Sequence, residues 1–108
     1  MTFRSAALLK AARDESCVRC GSTVCVVGAH YTGARRLAYG GGYGIKVHDF
    51  LIAHLCQQCH EYLDRLFREA GENKERLWEH SEEFLHLIAI TLIRLFARGV
   101  IVVKGARR

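Results

Sequence analysis

Residues 56–64 read Cys56-Gln57-Gln58-Cys59-His60-Glu61-Tyr62-Leu63-Asp64, a run that packs two thiols, an imidazole and a carboxylate into little more than two helical turns. Two cysteines three apart form a knuckle whose thiolates reach one tetrahedral ion at about 2.3 Å. Such a knuckle needs a partner, and Cys17 and Cys20 supply one, with 35 residues between the two pairs. Together Cys17, Cys20, Cys56 and Cys59 make a closed four-cysteine set. A closed set leaves no open coordination position, so the expected Zn2+ is structural and contributes folding free energy. The fifth thiol, Cys25, alternates within an expected strand and reads as a small buried residue.

The bulk properties favour such a staple. A chain of 108 residues makes one domain, 1–108, with a modest core. Half of the residues are apolar and none is proline, which excludes a disordered tail or a scaffold built from loops. The net charge of +5 is uneven: residues 1–50 carry seven Lys/Arg against three acids, and residues 51–108 carry nine against eight. A basic first half fits phosphate contact. No stretch reads as a targeting signal, and the most hydrophobic run, 85–97, is interrupted by His86 and Arg94 and falls short of the roughly 20 residues of a membrane span. The expectation is a cytoplasmic protein with no membrane partner, in which cysteines serve as metal ligands or buried thiols and not as disulfides.

Periodicity places the elements. Residues 4–14 read as a short amphipathic helix, with Ala7, Leu8 and Ala11 on one side. After the first knuckle, the β-branched run from Thr23 reads as a strand through about Ala29, with His30 at its end. Five glycines and the pair Arg35 and Arg36 make residues 32–46 a basic loop. Residues 50–55 form a second short strand, residues 57–70 a helix stopped by Gly71, and residues 73–98 a long helix capped by Asn73 and ended by Gly99. The apolar stripe of that last helix, from Leu77 and Trp78 to Phe96, spreads most of the way round by Leu85. That breadth calls for deep burial or for a partner helix in a homodimer. Residues 100–104 add a short closing strand.

With the thiols assigned, His60 and Asp64 remain, and residues four apart lie on one helix face. They suit a second, catalytic divalent ion with positions open to phosphate oxygens. His30 would stand opposite them if the two strands and the helix form a ββα unit.

A knuckle, a strand ending in histidine, a loop, a polar residue before a second strand, and then C-x-x-C-H opening a helix resembles the HNH, or ββα-metal, nucleases. Residues 8–65, with Ala29-His30, Gly42-Tyr43-Gly44-Ile45-Lys46, Asp49 and C-x-x-C-H-x-x-x-D, are similar to the small prophage nucleases of the YbcO type. The resemblance implies an α+β fold: a zinc-stapled ββα-metal core of treble-clef type over about 15–70, an N-terminal helix and a long C-terminal helix over about 73–98. It makes His30 the general base and His60 a ligand of the ion that neutralises the scissile phosphate. Asp64 falls where some HNH nucleases place a second helical ligand. Asp49 takes the position of the middle asparagine, with an orienting or a metal-binding role. Two positions depart from the family: Ala29 replaces an acid that often binds the metal, and His48 stands where proline is expected, as a bystander or a substitute ligand. His54 reads as a satisfied structural histidine, and His80 and His86 as surface or packing residues.

The function expected is metal-dependent hydrolysis of DNA phosphodiester bonds, phage or prophage encoded and used in recombination or DNA processing. The catalytic ion would be Mg2+, Mn2+, Ni2+ or Zn2+, since a histidine with a carboxylate suits each to a different degree. Arg35, Arg36 and Lys46 would contact the DNA. The alternative is a zinc-stapled module that binds nucleic acid without cleaving it, and a weaker third option is a protein-interaction adaptor using the long helix.

Overall fold

The computed structural model describes residues 2–107. Its sheet has two antiparallel strands, β1 (Val26–His30) and β2 (Ile52–Cys56). Their register pairs Val26 with Cys56 and His30 with Ile52. This sets the second knuckle at one end of the ribbon and His30 at the other. Helix α1 (Ala6–Lys10) precedes the sheet and runs on into a 3-10 turn over Ala11–Asp14. The Ser5 hydroxyl caps α1 by accepting from the Leu8 N–H at 3.3 Å. Helix α2 (Gln57–Ala70) leaves β2 directly, and α3 (Lys74–Ala97) follows after a short turn.

A two-stranded ribbon is marginal alone and needs cover. Here α2 and α3 both pack on β2, and every residue of that strand is buried. Leu55, Leu63, Phe84 and Ile88 form the centre of the core together with Tyr31, whose ring meets Phe84 edge-on at 5.5 Å. A second cluster joins Leu8, Ala11, Ile52 and Leu95, so α1 and the end of α3 close over the other end of the sheet. Thr91 ties α3 to β2: its hydroxyl accepts from the His54 backbone N–H at 3.1 Å and donates to the Leu87 carbonyl at 2.9 Å.

The helix boundaries follow the expected signals. Asn73 caps α3, its side chain accepting from the Arg76 N–H at 3.1 Å, and Gly71 leaves α2 at φ 52°, which lies in the region that favours glycine.

Three expectations are corrected. β1 begins at Val26 and not at Thr23, because Cys25 sits at φ 52° as the chain swings out of the knuckle, and no strand passes through such a residue. Cys25 is accordingly exposed, not buried. Residues 100–104 form no strand: the N–H groups of Val100 and Ile101 both bond to the Leu95 carbonyl at 3.0 and 3.2 Å, folding the chain back on the end of α3. Among the described residues, the sheet therefore keeps two strands. No described helix is long and apolar enough to cross a membrane.

Candidate functional site

The strand register and the start of α2 bring the two knuckles together. The first is a tight turn in which the Gly21 N–H donates to the Cys17 carbonyl at 2.9 Å, and the Val18 N–H donates to the His54 carbonyl at 2.9 Å, docking the knuckle on β2. The ligand sulfurs of Cys17, Cys20, Cys56 and Cys59 all lie within 4.8 Å of one another, and Cys20 Sγ is 3.6 Å from Cys56 Sγ. A tetrahedron with metal–sulfur bonds of about 2.3 Å has edges of about 3.8 Å, so the cluster could hold a zinc ion after small side-chain adjustments. Among the described residues it is the one group of three or more His, Cys, Asp or Glu so arranged.

At Cys17 burial opposes ionisation, but the backbone N–H groups of Cys56, Cys20 and Arg19 outweigh it and draw that thiol down to about 6. At Cys59 burial dominates, reinforced by the neighbouring sulfurs, and pushes the thiol up to about 12. Four sulfurs this close shed all their protons only when a cation takes up the charge. The Arg19 guanidinium donates to Cys59 Sγ at 3.4 Å and stacks 4.0 Å over the Tyr62 ring. It would offset part of the negative charge that four thiolates leave on a zinc centre.

At the far end of β1, His30 Nε2 lies 2.8 Å from Asp49 Oδ1. Asp49 is buried, and burial works against its charged form, yet hydrogen bonds from His30, the Ser5 N–H and Arg4 hold its carboxyl below the usual range. An ionised carboxylate only accepts hydrogen bonds. His30 must therefore carry a proton on Nε2, which leaves Nδ1 as the basic nitrogen of the neutral ring. Asp49 thus holds the His30 ring through this hydrogen bond.

His30 lines a cleft of about 360 Å³ with Thr32, Arg36, Lys46 and Phe67. Gly42 and Gly44 form its rim, where an added Cβ would meet open space. Thr32 Oγ1 is buried there without a hydrogen-bond partner. The three basic-loop residues divide: Arg36 and Lys46 line the cleft, whereas Arg35 lies 4.8 Å over the ring of the half-exposed Trp78 on α3.

His60 and Asp64 stand one turn apart on α2, half-buried, with Nε2 and Oδ2 3.6 Å apart. No third described ligand joins them. They share a helix face with Phe67, three residues beyond Asp64, but Phe67 and not His60 walls the His30 cleft. Two donors of this kind fit an ion that keeps water or phosphate oxygens in its remaining positions.

The other histidines resolve differently. His48 Nδ1 accepts from the Phe3 N–H at 2.7 Å, so it latches the N-terminal arm. His54 is fully buried, but both its ring nitrogens lack partners, so it is structural without being satisfied. His80 is buried between Phe67 and Phe84, where burial outweighs the weaker pull of the Leu63 backbone on its ring and no hydrogen bond of good geometry reaches its nitrogens, while His86 is exposed. The sequence pattern missed Arg4, Ser5 and Arg19, which act on the two centres from remote positions.

No protein-family model, curated protein or solved structure matches this chain.

Proposed function

We propose that the protein is a metal-dependent endonuclease of the HNH type, stapled by zinc and hydrolysing DNA phosphodiester bonds. The observation that carries this is the His30–Asp49 pair at 2.8 Å in a cleft that also holds Arg36 and Lys46. A carboxylate that fixes the tautomer of a histidine leaves the opposite nitrogen to take a proton from water, as in other carboxylate–histidine pairs. Two cations beside it favour a phosphodiester and the charge that develops on it. His60 and Asp64 would hold a divalent ion, which would supply Lewis-acid stabilisation of the leaving oxygen. Residues of this chain then hold the strand through Arg36 and Lys46, accept the proton at His30 Nδ1, and keep that ring aimed through Asp49.

A second reading, a nucleic-acid-binding module without catalysis, draws support from the cleft wall, where Phe67 stands and His60 does not, and from Ala29 in the place of an acid. Cleavage of plasmid and branched DNA by zinc-loaded protein, with Mg2+, Mn2+, Ni2+ and Zn2+ added in turn, separates the two. Nicked or linear product with at least one ion is expected. Tight binding without cleavage under every condition would leave the binding module.

A further inference from the structure

The Asp49 carboxylate serves more than His30. Oδ1 accepts from His30 Nε2 at 2.8 Å and from the Arg4 guanidinium at 3.0 Å, while Oδ2 accepts from the Ser5 N–H at 2.6 Å. Arg4 is fixed independently of the carboxylate, because it also donates to the Val47 and Lys46 carbonyls. The arm that carries it is pinned to the same loop: the Asp49 N–H donates to the Phe3 carbonyl at 3.0 Å, and the Phe3 and Phe50 rings stack at 4.2 Å. A permanent cation and a titrating ring thus compete for one buried oxygen.

The consequence is electrostatic. A lone carboxylate beside an imidazole favours the imidazolium, and a protonated ring cannot act as a base. A guanidinium on the same oxygen takes up part of that negative potential. Arg36 and Lys46, the other charged groups lining the cleft with His30, act in the same direction, while Tyr31, Thr32 and Phe67 add no charge near neutral pH. We propose that Arg4 is a positioning residue for His30: by sharing Asp49 Oδ1 it holds the ring oriented, with its proton on Nε2, and its charge opposes the taking up of a second proton. The use made of the neutral ring rests on His30 being the base of the proposed nuclease, whereas its protonation can be measured without that assumption.

The test is a titration of the His30 ring by nitrogen-15 NMR in zinc-loaded wild type, Arg4→Lys and Arg4→Met. Wild type should show the neutral ring protonated on Nε2. Arg4→Met should raise the His30 midpoint by about one pH unit, the scale on which one neighbouring charge acts, and Arg4→Lys should recover part of the difference. If Arg4→Met does not fold, Arg4→Gln removes the charge while retaining a polar side chain with N–H donors. Coincident midpoints in wild type and the neutral variant overturn the inference, whatever the cleavage assays give. In a cleaving enzyme, the acid limb of the pH–rate profile should move up with the midpoint and the alkaline plateau should be retained. A shifted midpoint in a protein that cleaves nothing with any metal would uphold the coupling and remove His30 from catalysis.

Discussion

Arg19 reaches Cys59 from the opposite knuckle, its guanidinium 3.4 Å from the sulfur and lying over Tyr62 on the next turn of α2. A cation built into the first knuckle would thus offset charge on the second once zinc is bound. The protein should hold one zinc per chain, and Cys56→Ser should lose both the metal and the cooperative melt. Arg19→Met should still fold but bind zinc about 10-fold or more weakly, the scale of outer-shell partners of metal ligands. Competition with a chromophoric chelator measures this. Equal zinc affinity in Arg19→Met and wild type would show that the guanidinium only packs on Tyr62.

The two unpartnered histidines predict the acid response. Burial lowers the affinity of His54 and of His80 for a proton, so the folded state keeps both rings neutral while the unfolded chain protonates them below about pH 6.5. The unfolded state then binds more protons, and stability present above that pH is lost as the pH falls through it. Asp49, whose folded value is also lowered, contributes in the same sense, but only as the pH falls below about 4. The melting temperature should drop between pH 7.5 and 6, and His54→Leu should flatten that dependence. Parallel melting curves against pH for the variant and wild type would contradict this account.

The division of the basic loop predicts unequal effects on DNA binding. Arg36→Ala with Lys46→Ala should lower the slope of log affinity against log salt by about 2, because each phosphate contact contributes about 0.9 on B-DNA. Arg35→Ala should change the slope less and act through its stacking on Trp78, a contact worth about 0.5–1 kcal/mol at an exposed site. Anisotropy titrations over a range of potassium chloride report both. A larger slope change from Arg35→Ala than from the double variant would move the DNA surface onto α3.

His30→Ala should retain zinc, fold and DNA affinity while losing about 10²- to 10⁴-fold in single-turnover cleavage. His60→Ala should instead raise the concentration of divalent ion needed for half-maximal rate. The comparison is made at matched DNA occupancy, with thermal melts alongside. Cleavage by His30→Ala within a few-fold of wild type would take His30 out of the mechanism.

The four cysteines were legible because metal spacing is local: each knuckle is fixed by two positions and a turn, and the register of β1 and β2 follows from the need to join them. The helix ends were legible for the same reason, since Asn73 and Gly71 act within one turn of themselves. Arg4 was not legible, because it meets Asp49 across 45 residues and no local pattern encodes that contact. Cys25 was misread because strand alternation carries no information about a left-handed residue at the exit of a knuckle. Residues 100–104 have strand composition, but strand formation needs an open partner edge, and their first N–H groups are already spent on Leu95.

The complete burial of β2 bears on the order in which the chain is made. All four ligand sulfurs have been synthesised once Cys59 has left the ribosome, whereas α3, which covers β2 and supplies Thr91, Phe84 and Ile88, follows only from Lys74 onward. Domains assemble as their elements emerge, at about 5–20 residues per second. For a few seconds, a nascent chain can therefore join its knuckles around zinc while β2 still lacks its cover. A metal bound at that stage would hold the ribbon in register before the strand gains its cover.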